Sequence, residues 1–209
     1  MMRPILAFLM LFMSLYALAQ PLGGYNIGAA IRNFTLLNVA NKQPVSLEDY
    51  HDSKIVVLIF TSNNCPYSKI YEDRIITLNN RYSDKGVIFL LINPASNPTE
   101  KNESIDAMRK RIQTARYQFP YLADTLQKVA IDFGVTRLPT AFVLKRMENS
   151  FRLVYKGAID DSPESEDNPQ SGAKDILNNY LNDALVALLD NKSIKIAQTR
   201  PVGCVLKEY

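Results

Sequence analysis

Two runs of consecutive apolar residues constrain the fold of this chain more than any other feature. They are Ile55–Phe60 and Val87–Ile92, and neither run contains a polar residue. Runs of this length and composition are typical of strands that are buried on both faces of a sheet. Between them, residues 65–82 place apolar and aromatic side chains at helical spacing, and Asp84-Lys85-Gly86 ends this helical pattern. A strand, a helix and a second buried strand in this order predict an α/β architecture.

Strand-like and helix-like patterns continue to alternate through the rest of the chain. The further predicted elements are a strand at Phe34–Val39, a helix capped by Ser104, a helix from Asp124 to Gly134, a hairpin of Thr140–Leu144 with Phe151–Tyr155, and a last helix carrying Leu177 to Leu188. We therefore predict one α/β domain at residues 33–190, with a central mixed β-sheet covered by helices on both faces. Residues 20–32 lead into this domain, and residues 191–209 form an irregular C-terminal tail that carries Cys204.

Composition excludes several classes of function. The chain has 24 basic and 21 acidic residues, for a net charge of +3, and the basic residues form no run. This distribution gives no support for nucleic acid or a membrane surface as a partner, and we expect neither. One histidine and two cysteines are too few for a zinc site, and we expect neither a metal nor an organic cofactor. Five acidic residues between Asp160 and Asp167 lack the glycine of a calcium-binding loop, so we predict a solvated acidic loop there.

The N-terminus has the pattern of a secretory signal peptide at residues 1–19. Arg3 precedes an apolar run from Pro4 to Ala19 that ends in Ala17-Leu18-Ala19, a sequence that signal peptidases accept. The alternative, a membrane anchor, is less favoured because the run is shorter than the roughly 20 residues that a spanning helix needs. We expect cleavage after Ala19, export to the periplasm or the medium, and no membrane association afterwards. In such an oxidising compartment a pair of cysteines can persist as a disulfide.

Cys65 is the residue best placed for chemistry. It follows the end of a predicted buried strand and begins a predicted helix, where ligands and reactive groups collect in open α/β sheets. Amide groups at a helix N-terminus favour a thiolate and can lower the pKa of a cysteine from about 8.5 to between roughly 3.5 and 7.5. Pro66 suits the first helical position because a proline there loses no hydrogen bond. The alternative is a buried structural cysteine, which is the commoner environment for this residue type.

The segment Phe60–Arg74, which contains Cys65-Pro66-Tyr67, closely resembles the active-site segment of the peroxiredoxin-like branch of the thioredoxin superfamily, also called the redoxin or thiol-specific antioxidant branch. The similarity extends from about Arg32 to Leu189 and resumes in the tail around Cys204. The resemblance implies a thioredoxin-like fold with a redox-active cysteine at Cys65. It also implies that Leu138-Pro139 faces the sulfur, with a cis peptide bond, and that the backbone of Leu138 pairs with a partner chain.

Several residues depart from the patterns of this superfamily. Thioredoxins carry a second cysteine three residues after the first, and Ser68 stands there; related redoxins often carry one at the position of Ser62. Ser62 also fits the serine or threonine of the peroxiredoxin pattern, but Leu58 stands where that pattern has proline. Peroxide reduction further requires an arginine beside the sulfur. Arg137 is the candidate, and a plain surface contact of this arginine is an equal alternative. We place Arg137 and Ser62 with Leu138 and Pro139 in a predicted substrate groove.

Cys204 has three possible roles. If it reaches Cys65, it can resolve a sulfenic acid or a mixed disulfide, because exchange needs a second thiolate. It can instead form a permanent staple with Cys65, adding about 4 to 5 kcal/mol in the chain-entropy model. The third possibility is an unpaired thiol.

These observations predict an exported thiol-based oxidoreductase in which Cys65 takes part in thiol–disulfide exchange or peroxide reduction, with Cys204 as candidate resolving residue. Its partners are then a protein thiol or disulfide, or a small peroxide, together with an external thiol reductant. The alternative is a non-catalytic thioredoxin-fold domain, for binding or structure, in which a Cys65–Cys204 bridge is permanent.

Overall fold

The computed structural model describes residues 24–163 and 176–207. The strands are β1 (Thr35–Asn38), β2 (Gln43–Ser46), β3 (Ile55–Phe60), β4 (Val87–Asn93), β5 (Tyr121–Ala123), β6 (Arg137–Leu138), β7 (Thr140–Arg146), β8 (Phe151–Gly157) and β9 (Cys204–Val205). The helices are α1 (Pro66–Ile70), α2 (Glu72–Tyr82), α3 (Ile105–Ala115), α4 (Lys128–Phe133) and α5 (Tyr180–Leu189). The predicted signal peptide, residues 1–19, lies outside the described residues.

Seven strands form one mixed sheet in the order β2-β1-β5-β4-β3-β7-β8. The two apolar runs are β3 and β4, which lie side by side in parallel, with Ile55 opposite Val87 and Phe60 opposite Ile92. β5 continues the parallel part beside β4, whereas β7 pairs antiparallel with β3 and β8 antiparallel with β7. The predicted α/β fold with a mixed sheet is confirmed, and so is the predicted hairpin.

The alternation of side chains along β3 divides the interior between the two faces of the sheet. Ile55, Val57 and Ile59 point to the face covered by α2, α3 and α5, where Leu181 of α5 is fully buried. The intervening side chains of β3 point to the opposite face, covered by α4 and by the N-terminal lead-in. Cys65 belongs to this second cluster, so the site lies over the face that α4 covers.

Both ends of the described chain cover the outer edge of β8. In the lead-in, the amides of Gly28 and Ile31 donate to carbonyls of β8. In the tail, Thr199 donates to the carbonyl of Lys156 at 3.0 Å. Covering the edge satisfies backbone groups that would otherwise face solvent.

The structure differs from the predicted elements at several boundaries. The long helix after Cys65 is divided at Tyr71, although the Ile75 amide still donates to the Tyr71 carbonyl at 2.9 Å. The helix predicted from Asp124 begins at Lys128, because residues 124–127 form a turn in which Gln127 adopts a left-handed conformation. The last helix begins at Tyr180, and Leu177 is outside it and exposed. Strands β2, β5, β6 and β9 were not predicted.

Candidate redox site

The loop between β3 and α1 holds Cys65 through two serine side chains. Cys65 is the N-cap residue of α1, and Pro66 follows at the first helical position, as the sequence predicted. The Cys65 amide donates to Ser62 Oγ at 3.2 Å, and the Ser62 amide donates to Ser68 Oγ at 3.3 Å. Ser62 and Ser68 stand at the two positions where related proteins carry a second cysteine. Both side chains are buried near Cys65, and their hydroxyl oxygens accept these hydrogen bonds.

Glu103 is the main support of this loop, and sequence reasoning missed it. Its side chain is 3% exposed, and its carboxylate accepts hydrogen bonds from the amides of Asn63 at 3.2 Å and Asn64 at 2.7 Å. Asn93 Nδ2, at the end of β4, donates to the same carboxylate at 2.8 Å. A carboxylate surrounded by three N–H donors gives short, charge-assisted bonds, which hold the loop that precedes Cys65.

The hydroxyl of Tyr121 adds a further contact to the same loop, donating to Asn63 Oδ1 at 3.0 Å. Tyr121 lies at the start of β5 and is almost completely buried, and this burial raises its pKa well above the ordinary value for a phenol. The hydroxyl therefore keeps its proton and acts as a donor at any physiological pH.

Leu138 and Pro139 face Cys65, as the resemblance implies. The Leu138–Pro139 peptide bond is cis. Cys65 Sγ lies 3.3 Å from the carbonyl oxygen of Leu138, and Leu138 is buried in the same apolar cluster as Cys65. The backbone of Leu138 thus forms the wall of the site opposite the sulfur.

Cys204 reaches Cys65, and the two form a disulfide with 5.9 Å between their Cα atoms. The possibility of an unpaired Cys204 is therefore wrong. The tail was expected to be irregular, but Cys204 lies in β9, which pairs antiparallel with β6 so that Cys204 is opposite Leu138. The pairing with Leu138 brings the second sulfur to the first across a long stretch of sequence.

Arg137 contacts the tail segment that carries Cys204. Its guanidinium donates from Nη1 to the carbonyl oxygen of Gly203 at 2.9 Å, so it holds the tail. Two other bonds hold the tail further along: the Leu206 amide donates to the Thr136 carbonyl at 2.9 Å, and Gln127 Nε2 donates to the Lys207 carbonyl at 2.9 Å. The predicted groove residues are thus together, and in the oxidised protein the tail occupies their surface.

A cleft of about 370 Å³ opens beside the disulfide. Its lining includes Ser62, Glu100, Glu103, both cysteines and Lys207. Cys65 is only 2% exposed, whereas Cys204 is partly exposed. A thiol that enters the cleft therefore meets the Cys204 side of the disulfide first.

The described part of the chain contains no cluster of three histidine, cysteine or carboxylate side chains that could hold a metal ion. Within the same residues, no helix has both the length and the apolar character needed to cross a bilayer. Of the predicted acidic loop, Glu164, Glu166 and Asp167 lie outside the described residues. Asp160 is buried rather than solvated, because it accepts hydrogen bonds from Tyr71 Oη at 2.9 Å and from Arg74.

Comparison with known proteins agrees with this geometry. Two bacterial proteins have closely similar structures: a hypothetical protein from Sinorhizobium meliloti (26% identity, 89% of this chain and 96% of that one, TM-score 0.78) and an uncharacterized conserved protein from Geobacillus kaustophilus (29% identity, 88% and 93%, TM-score 0.77). The peroxidoxin BcpB of Mycobacterium tuberculosis shares the fold at 19% identity, over 62% of this chain and 83% of its own, with a TM-score of 0.51.

Among proteins with curated functions, none matches this sequence. The sequence profile of the AhpC/TSA family matches residues 27–149, more than half of the chain, and this match includes β3, Cys65 and the cis-proline loop. With the Cys65–Cys204 disulfide beside that loop, the family match identifies a thiol redox protein. The chain belongs to the AhpC/TSA family and has a thioredoxin-like fold.

Proposed function

We propose that this protein is an exported thiol–disulfide oxidoreductase in which Cys65 exchanges with a partner disulfide and Cys204 resolves the intermediate. One observation carries the proposal. The pairing of Cys204 with Leu138 holds the second sulfur against Cys65 at the surface where the resemblance places a partner chain.

The proposed reductive cycle begins with the dithiol form. The Cys65 thiolate attacks one sulfur of the partner disulfide, a Cys65–partner bond forms, and the other partner sulfur leaves as a thiolate. The Cys204 thiolate then attacks Cys65 Sγ, which restores the Cys65–Cys204 bond and releases the second partner thiol. Two electrons pass from the protein dithiol to the partner.

Regeneration needs an external thiol reductant. Its thiolate attacks Cys204, the more exposed of the two sulfurs, and Cys65 leaves as a thiolate at the start of α1. A leaving thiolate stabilised by helix amides leaves faster, which favours this direction of attack. A second thiol of the reductant then releases Cys204. The dithiol form results, and the reductant is oxidised to a disulfide.

The contact of Arg137 with the tail supports disulfide exchange, because its guanidinium donates to the Gly203 carbonyl and so helps to seat the strand that carries Cys204. Leu58, which stands where the peroxiredoxin pattern has proline, is fully buried in β3, so this part of the peroxiredoxin pattern is missing. A second candidate, the non-catalytic domain with a permanent bridge, is favoured by the 2% exposure of Cys65.

Trapping of the mixed disulfide tests the proposal. The full-length Cys204→Ser variant, reduced and then mixed with a disulfide-bonded polypeptide such as insulin, should accumulate a covalent adduct at Cys65 that intact mass detects. The matched Cys65→Ser variant should accumulate an adduct far more slowly, because its remaining thiol, Cys204, is not at a helix start that favours a thiolate. An absence of adduct in Cys204→Ser, with the bridge of the wild type resistant to reductants, would establish the non-catalytic candidate. Rapid oxidation of Cys65 by stoichiometric peroxide would instead favour peroxide reduction.

Export is part of the same proposal. It is supported by the signal pattern at residues 1–19 and by the disulfide, a bond that is rare in reducing compartments. The mass of the protein recovered from the producing cells tests it. A chain that begins at Gln20 in the periplasm or medium is expected, and a full-length chain retained in the cytoplasm would contradict it.

A further inference from the structure

The tail segment Gly203–Lys207 lies on the site as an added antiparallel strand. Cys204 is opposite Leu138 and Val205 is opposite Arg137, and the Leu206 amide donates to the Thr136 carbonyl at 2.9 Å. An extended segment that binds by main-chain hydrogen bonds, with side chains selected at alternate positions, is a common mode of peptide recognition. The tail therefore shows how a polypeptide with a cysteine can bind beside Cys65.

The position before the cysteine accepts only glycine. A Cβ atom at Gly203 would lie 2.0 Å from the carbonyl oxygen of Leu138 and 2.6 Å from its carbonyl carbon. These are backbone atoms of the cis-proline loop, so a larger residue cannot be accommodated by a side-chain rotation. The requirement is one of space, since the close approach of two backbones leaves no room for a side chain.

The positions after the cysteine differ in what they contact. The side chain of Val205 is 65% exposed, so the groove does not select a particular residue type at this position. Leu206 is partly buried and packs against the apolar cluster that contains Cys65 and Leu138. Lys207 is exposed, and only its carbonyl oxygen is held, by Gln127. The groove thus selects glycine before the cysteine and an apolar residue two positions after it.

We propose that the partner of this site is a polypeptide segment of the form Gly-Cys-x-apolar in extended conformation, and that the tail is an internal copy of it. This inference rests on the proposed function. The partner cysteine takes the place of Cys204 in a disulfide with Cys65. Two backbone carbonyl groups of the partner segment take the place of the Gly203 and Lys207 carbonyls and accept hydrogen bonds from Arg137 and Gln127. In the oxidised protein the tail fills the groove, so the partner enters only when the tail has left.

The test uses the full chain with the tail displaced. In the Gly203→Val/Cys204→Ser double variant, the added side chain collides with Leu138 and keeps the tail out of the groove. Cys65 is loaded with 2-nitro-5-thiobenzoate as a mixed disulfide. A peptide thiolate then attacks Cys65 Sγ, a Cys65–peptide disulfide forms, and coloured 2-nitro-5-thiobenzoate leaves as a thiolate. Its release gives the rate without any further oxidant.

Three peptides are compared: acetylated Pro-Val-Gly-Cys-Val-Leu-Lys, the same peptide with valine before the cysteine, and the same peptide with serine in place of leucine. Each rate is normalised to the reaction of that peptide with the free aromatic disulfide, which removes differences in thiol reactivity. The valine peptide should react about tenfold more slowly, because a clash of this kind costs about 1.4 kcal/mol or more. The serine peptide should react about fivefold more slowly, because a partly buried leucine is lost.

The Cys204→Ser single variant provides a second measurement that does not depend on the Gly203 substitution. Its tail competes for the groove, so the glycine peptide should react more slowly than with the double variant, with the same order among the three peptides. Equal normalised rates for the three peptides in both variants would overturn the inference. They would leave the proposed function intact, provided that Cys65 forms a disulfide with each peptide and releases 2-nitro-5-thiobenzoate. Failure of loaded Cys65 to react even with 2-mercaptoethanol would refute both.

Discussion

Removal of the Glu103 carboxylate should destabilise the loop that carries Cys65. In Glu103→Ala, the amides of Asn63 and Asn64 and the side-chain amide of Asn93 lose their common acceptor. A hydrogen bond to a charged group contributes about 1.5–3 kcal/mol, but losses at one acceptor are not additive, and the adjacent cleft admits water to the vacated space. We therefore expect a loss of about 3 kcal/mol in the free energy of unfolding.

For a chain of this length, a change of that size corresponds to a decrease in Tm of roughly 6–12 °C. Thermal or urea unfolding of the oxidised protein measures the effect directly. Glu100→Ala is the matched control, because Glu100 lies in the same loop and is exposed, and its stability should change by no more than about 0.5 kcal/mol. Glu103→Gln, which keeps one oxygen acceptor and the side-chain volume, should fall between the two. A loss below about 1 kcal/mol in Glu103→Ala would refute the assigned role of the carboxylate.

Three other substitutions test separate parts of the structure. Arg74→Leu leaves the buried Asp160 carboxylate without its ion-pair partner, so urea unfolding should show a loss of about 3–5 kcal/mol. Ser68→Cys places a thiol one helical turn after Cys65, and peptide mapping after alkylation should detect a new disulfide between them, because the shorter loop closes more easily. Burial raises the pKa of Asp124, so its ionised form opposes folding at neutral pH. As pH falls toward the ordinary aspartate pKa of about 3.9, the wild type should gain stability relative to Asp124→Asn.

Each of these three predictions has an outcome that would contradict it. Arg81→Leu, on the exposed side of α2, serves as control for Arg74→Leu and should change stability by less than about 0.5 kcal/mol; similar losses in both would remove the case for the buried ion pair. Retention of the Cys65–Cys204 bond in every molecule of Ser68→Cys would show that the paired tail outweighs the easier closure of the shorter loop, and would contradict this prediction. Parallel stability–pH profiles for wild type and Asp124→Asn would mean that Asp124 titrates alike in the folded and unfolded chain.

The sequence predicts most reliably those elements whose pattern is local. Ile55–Phe60 and Val87–Ile92 are recognisable because strands at the centre of a parallel region need apolar side chains on both faces. Ser104 is recognisable as a cap because its hydroxyl accepts from the Ala107 amide within the same turn. In these cases the physical cause and the sequence signal lie within a few residues.

The parts that escaped prediction depend on contacts between distant residues. β9 has only two residues, and its existence depends on pairing with Leu138 rather than on any periodicity around Cys204. Glu103 looks like any acidic residue of a polar loop, and its role follows only from the amides that surround it in space. Asp160 is buried because it accepts hydrogen bonds from Arg74, in α2, and from Tyr71, the residue before α2. No signal near Glu103 in the sequence could have revealed its role, whereas glycine next to Cys204 was a visible hint of a close backbone approach.

The equilibrium reduction potential of the Cys65–Cys204 pair tests the central claim most directly. The full-length mature protein is equilibrated in dithiothreitol or glutathione buffers of known potential, quenched with acid, alkylated, and analysed for the fraction of dithiol by intact mass. Catalytic pairs have potentials between about −120 and −270 mV, and we expect a value in that range for Cys65–Cys204. A potential below about −300 mV would identify a structural disulfide and contradict the exchange function proposed for Cys65.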